Sequence, residues 1–233
     1  MTHAVRLLSA GAAQGVATAL ATELRSTTGA ELHAAFMPVG ALEEKLLAGE
    51  ACDVVVSTPA MLEALARDGR VDHATTTPLG RVHAGVAVRA GARAPAIATA
   101  DQLRVALLAA KRIYVPDPER ATAGRHFAKV VREMGLYDAL SPRFSVHASG
   151  MAAMVALVAS GEDASLGSTQ VTEIRGVPGV TLVGALPAPF DLVTTYAASV
   201  STAARDPELA RRFVAMLCAP AAAGLRSAAG FEA

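Results

Sequence analysis

The chain has 233 residues, 52% of them hydrophobic, and its 21 lysines and arginines balance its 21 aspartates and glutamates. That length allows one large domain or two small ones, with a core that removes roughly 70–75% of the extended chain's surface from water. A formal net charge of zero offers nothing to nucleic acid or an anionic membrane surface, no apolar run reaches transmembrane length, and two cysteines without CxxC spacing read as buried free thiols.

Strand-like and helix-like stretches alternate along the chain, which predicts an α/β fold with mostly parallel strands. Residues 5–9 read as a strand. Residues 12–25 follow as a helix with Val16, Leu20 and Leu24 on one face. A strand at 33–37 and a helix at 40–48 come next. CDVVVS, residues 52–57, is a buried strand, and 59–67 a helix opened by proline. RVHAGVAVR, residues 81–89, is a longer strand. The middle of the chain gives a helix at 103–110, a strand at 112–115, a loop through PDPERATAG, and a helix at 126–134. A strand at 144–147, a helix at 150–160, a short strand at 164–167 and a short helix at 169–174 follow. Strands at 181–186 and 192–200 lead to closing helices at 207–218 and 220–229. The two long strands, 81–89 and 192–200, bracket a central block that itself reads as βαβαβ. They predict two Rossmann-like lobes joined by two crossover strands. Residues 1–82 and 195–233 form one lobe and 83–194 the other, with a binding cleft between them.

No chemistry announces itself by motif. There is no GxSxG, no metal-spaced histidine pair, no GxGxxG and no Walker loop, so no metal site or cofactor is expected. What remains is a set of polar residues at strand ends and helix starts. Ser9, Gly11 and Gln14 lie in a small-residue turn whose N–H groups face whatever sits before the helix. Thr58, Thr122 and Ser149 are helix-start residues for which capping is the simplest role and ligand contact a compatible one. His126, placed in the first turn of its helix, and His147, at a strand end, are the candidate proton carriers. His83 sits inside the crossover strand and reads as a hinge or core residue. Arg120 and Arg125 flank the His126 loop and have the fork geometry for a carboxylate. Asp117 and Glu173 are possible general bases, although Asp117 lies in PDP, a turn sequence.

The order of elements and several strings resemble the solute-binding proteins of molybdate ABC transporters, with the type II periplasmic-binding fold. The strings are LLSAGAAQGVATAL, LLAGEACDVVVST, PLGRVHAGVAVR, YVPDPERATAGRHFAKVVREMGL, ALVASGEDASLG and LARRFVAMLCAPAAAGLRSAAGF. The resemblance implies an anion held by hydroxyls and backbone N–H groups at helix starts. Its first serine falls on Ala12 and its second on Val39, beside Gly40. Its backbone donors fall on Ala123 and Met151, and its tyrosine on Gln170. With those hydroxyls replaced, molybdate is not the expected ligand, because a hydrated dianion stripped of water needs its hydrogen bonds returned. A small organic anion, a carboxylate, fits better. At its edge the family is similar to aconitate isomerase, which implies the alternative. That alternative is an isomerase or tautomerase of an unsaturated carboxylate, with a cleft histidine moving the proton. No secretion leader precedes the first strand, so the expected compartment is the cytoplasm, with the periplasm and a transporter permease as partner only if a leader has been removed.

Overall fold

The computed structural model describes residues 3–232. They divide into two compact units: one runs to Val82 and resumes at Thr194, and the other spans His83–Val193.

The first unit is built on β1 (Ala4–Ala10), β2 (Glu31–Met37), β3 (Val54–Ser57) and β9 (Val193–Ser201). β1 lies in the middle, parallel to both neighbours, with Leu7 opposite Ala34 on β2 and Val54 on β3. β9 closes against β3 in the antiparallel sense, Val55 opposite Ser199. All four residues of β3 are buried, as a strand covered on both faces by helices requires. The helices are α1 (Gln14–Thr28), α2 (Val39–Leu47), α3 (Pro59–Arg67), α9 (Pro207–Cys218) and α10 (Ala223–Ala229). Leu42, Leu46, Val55, Leu62 and Leu65 form one of the unit's packed clusters.

In the second unit β5 (Ile113–Pro116) is central. It runs parallel to β6 (Phe144–His147), with Ile113 opposite Phe144, and to β7 (Leu166–Gln170), with Ile113 opposite Leu166. The end of β4 (Val71–Arg89) pairs antiparallel with β7 on one side and with β8 (Val180–Ala185) on the other. Helices α4 (Ala100–Ala109), α5 (Thr122–Glu133), α6 (Tyr137–Leu140), α7 (Gly150–Ser160) and α8 (Val171–Arg175) complete it. Leu103, Ile113, Val115, Phe127, Val131 and Leu140 form its main cluster. Met154, Leu157 and Ile174 form a second one with Tyr114.

Several expected boundaries move. The first helix does not begin at residue 12: Gly11–Ala13 form a 3-10 turn, Gln14 N–H donating to Gly11 C=O, and α1 starts at Gln14. β4 begins ten residues before the expected strand, at Val71. The strand holds because Thr75 Oγ1 accepts from Val200 N–H at 2.9 Å and Ser199 Oγ donates to the Asp72 carbonyl at 3.1 Å. α5 begins at Thr122, so TAG belongs to the helix and His126 stands in its second turn. α6 was not expected at all.

The cysteines are free; Cys52 is buried, whereas Cys218 is half-buried rather than buried. Burial pushes both thiols up, Cys218 to about 11, so neither is a nucleophile near neutral pH.

Candidate functional site

In an open α/β sheet the ends of parallel strands deliver the chain into helix starts, and ligands gather at that edge. Each unit has such an edge. In the first, β1, β2 and β3 lead into the starts of α1, α2 and α3. In the second, β5, β6 and β7 lead into α5, α7 and α8. Each helix start presents N–H groups without an intrahelical acceptor, and what satisfies them decides what can bind.

Two of these starts are closed by side chains. Thr58 caps α3, its Oγ1 accepting from Met61 N–H at 3.4 Å. Ser149 caps α7, its Oγ accepting from Ala152 N–H at 3.1 Å while its carbonyl accepts from Ala153 N–H at 3.0 Å. Three starts have N-cap residues with no side-chain acceptor: Ala10 before the 3-10 turn into α1, Pro38 before α2 and Ala121 before α5. Donors at these three positions suit an anion.

The lining beside them is small and apolar. Ala12 and Ala123 are buried, while Gly11, Gln14, Val39, Gly40 and Thr122 are half-buried. Gly124 lets α5 approach the end of β5: a Cβ there would meet the Pro116 carbonyl, and the Asp117 carbonyl at 2.6 Å. Ser9 is fully buried and its hydroxyl donates to the Ala10 carbonyl at 2.9 Å.

The second unit carries the titratable residues. His126 is half-buried and its Nε2 lies 2.8 Å from the Phe190 carbonyl. A carbonyl only accepts, so Nε2 holds the proton there. His147 ends β6, its Nε2 is 2.9 Å from Ser145 Oγ, and its ring stacks on Tyr114 at 5.9 Å. Burial holds its pKa below the usual histidine range. His83 is half-buried in β4. Asp117 Oδ1 accepts from Glu119 N–H at 2.8 Å and Arg120 N–H at 3.3 Å, closing the PDP turn. Arg120 and Arg125 are exposed, and Arg125 donates to the Glu119 carbonyl at 2.6 Å.

One residue has a different role from the one its sequence suggested. Glu173 is buried inside the second unit. Its Oε2 accepts from Thr169 Oγ1 at 2.5 Å, and its carboxyl also accepts from the backbone N–H groups of Gly150, Met151 and Gln170. Burial pushes its pKa up against the pull of those four donors. Gly150 is required here, because a Cβ would run into Thr169 Oγ1 and Glu173 Oε2. The Met151 N–H, expected to face a ligand, is directed to Glu173 instead. Gln170 is buried at the end of β7 and contributes its N–H to the same carboxyl. No spacing in the sequence signals that Glu173 takes the α7 donors, because Gly150 and Met151 stand more than twenty residues before it, whereas Thr169 and Gln170 are near neighbours in the chain.

Among the described residues, no group of three or more His, Cys, Asp or Glu could hold a metal ion, and no helix is long and apolar enough to cross a membrane.

Comparison with known proteins agrees with this architecture. The chain is similar to aconitate isomerase from a Pseudomonas species, 29% identical over 230 residues, covering 93% of this chain and 83% of that protein. Its fold matches the periplasmic molybdate-binding protein of Azotobacter vinelandii with a TM-score of 0.80 at 19% identity, covering 98% of this chain and 99% of that one. It also matches Campylobacter jejuni PEB3 solved with L-phospholactate bound, with a TM-score of 0.70 at 17% identity and coverage of 98% and 99%. At such identities these two structures speak of fold alone. The family of bacterial extracellular solute-binding proteins matches residues 5–232, and this chain belongs to it.

Proposed function

We propose that this chain binds a small organic anion, a carboxylate rather than a bare oxyanion such as molybdate. The observation that carries this reading recurs in each unit by itself: helix starts without side-chain acceptors stand beside apolar residues, at α1 and α2 with Ala12 and Val39 in the first unit and at α5 with Ala123 in the second. The N–H groups suit carboxylate oxygens and the apolar side chains suit a carbon skeleton. A compact dianion would have to give up its water beside alanine and valine, at a cost of several kcal/mol per unreturned hydrogen bond set. One relative points the same way by name: aconitate carries carboxylates.

A thermal-shift panel tests this reading. Small carboxylates, cis- and trans-aconitate among them, are expected to raise the unfolding midpoint, the gain reaching about 2.7 kcal/mol at a hundredfold excess over Kd. Molybdate, tungstate and sulfate are expected to leave it in place. A rise with molybdate and none with any carboxylate would refute the reading.

The likeness to aconitate isomerase favours a second one, in which the bound carboxylate is converted. A proton would leave the carbon beside a carboxylate and return to another carbon of the same skeleton, with helix-start N–H groups stabilising the enolate-like charge. His147 suits the proton carrier better than His126. Burial keeps His147 neutral, as a base requires, whereas His126 Nε2 is held by the Phe190 carbonyl. Turnover followed by proton NMR is expected to persist below pH ~6.5, where an ordinary histidine is already protonated. It should fall at least about a hundredfold in His147→Asn. Full turnover in His147→Asn would rule out this assignment.

A further inference from the structure

The start of α7 is already occupied by a carboxyl group that belongs to the chain. A helix leaves its first N–H groups without intrahelical partners, and here every one can be traced. Gly150 and Met151 donate to the Glu173 carboxyl, Ala152 to Ser149 Oγ and Ala153 to the Ser149 carbonyl. Thr169 Oγ1, at 2.5 Å, and Gln170 N–H complete the shell around the carboxyl. This helix start lies beside that of α5, because β5 and β6 are parallel neighbours with Pro116 opposite His147, and Asp117 N–H donates to the His147 carbonyl at 2.8 Å. The α5 start has no side-chain cap. The second unit therefore sets an open anion position next to one closed by a resident carboxyl group.

We propose that Glu173 is a specificity-determining residue: its carboxyl takes the first N–H groups of α7 and removes that start from ligand binding, so that compact inorganic dianions, which need donors on several sides, find too few beside the open α5 start and are rejected. A compact dianion stripped of water needs its hydrogen bonds returned, and the donors of one helix start return only part of them. A carboxylate group at α5 presents two oxygens to the donors of that one start, and its carbon skeleton needs none. This inference rests on the carboxylate-binding reading and names what enforces it.

Formate, sulfate and molybdate titrated by thermal shift against the wild type, Glu173→Ala and Glu173→Gln test it. Wild-type protein is expected to respond to neither sulfate nor molybdate. Glu173→Ala uncovers four donors, and a saturable rise in midpoint with formate and sulfate is expected. Glu173→Gln keeps the volume, but its amide accepts at one atom instead of two and so releases donors at the α7 start, and its sulfate affinity is expected to exceed the wild type's at least about tenfold. The glutamine variant maintains the packing around Gly150 and carries the test even if the alanine variant does not fold. No gain for inorganic anions in folded Glu173→Gln would overturn the inference, as would sulfate binding to the wild type. Failure of carboxylates to shift the wild type is a separate result, and it counts against the carboxylate reading alone.

Discussion

Replacing Asp53 with alanine is expected to lower the unfolding free energy by about 3–5 kcal/mol, read from a urea titration. The Asp53 side chain is 3% exposed and that of its partner Arg6 19%. Oδ2 accepts from the Arg6 backbone N–H at 2.8 Å and from Arg6 Nε at 2.9 Å. Oδ1 accepts from the Arg6 guanidinium at 2.6 Å and from Arg205 N–H at 2.9 Å. One carboxylate thus ties β1 to the start of β3 and to the turn that leads into α9. Alanine leaves a largely desolvated guanidinium and two backbone donors without this acceptor, and that loss dominates the cost. The same residue sets an acid dependence. Burial raises the Asp53 pKa, but the Arg6 and Arg205 donors outweigh it and the folded value lies below the ordinary one. A carboxyl depressed in the folded state stabilises fully above its unfolded pKa, about 3.9. That contribution disappears as pH falls through the folded value. Wild-type stability is therefore expected to drop between about pH 4 and 2 by more than that of Asp53→Ala. Equal acid sensitivity of the two proteins would show that the pair contributes nothing.

Phe127→Ala is expected to cost about 3–5 kcal/mol, with an unchanged dependence on denaturant. Phe127 is 1% exposed and one of the largest fully buried side chains. It packs in the cluster of Ile113, Val115, Val131 and Leu140, and its ring lies 5.9 Å from Phe144. The effect extends to function, because Phe127 follows His126 and anchors the helix whose start carries Thr122, Ala123 and Gly124. Phe127→Leu keeps most of the volume and is expected to lose less than about 1.5 kcal/mol. A loss below ~1 kcal/mol in the alanine variant would mean that the site collapses to fill the void.

Much of the architecture is legible in the sequence. Helices at 59–67, 150–160 and 207–218 and the strand at 144–147 lie where the sequence places them. Their signals are local: Pro59 and Pro207 at first helical positions, Ser149 as a cap, and β-branched or aromatic residues in a short run. The early part of β4 is not legible: no local pattern places an element between residues 67 and 81, and the strand there is held by Thr75 meeting Ser199 and Val200 across the sheet. The start of α5 is missed for a related reason. Gly124 suggests a loop in isolation, yet here it is the one residue small enough to pass under the carbonyls of Pro116 and Asp117.

The candidate site divides along the same line. Which helix starts lack a capping side chain follows directly from Ala10, Pro38 and Ala121, since alanine and proline carry no acceptor. That Met151 cannot donate to a ligand does not follow from any neighbour in sequence. It is decided by Glu173, which arrives from another helix to take the N–H groups of Gly150 and Met151. Periodicity, caps and breakers are written by residues a few positions apart, and the chain by itself determines the alternation of strands and helices and the places where backbone donors are exposed. The partner of a buried polar group is chosen by burial among residues distant in sequence, and only the tertiary structure decides which donors remain for a ligand.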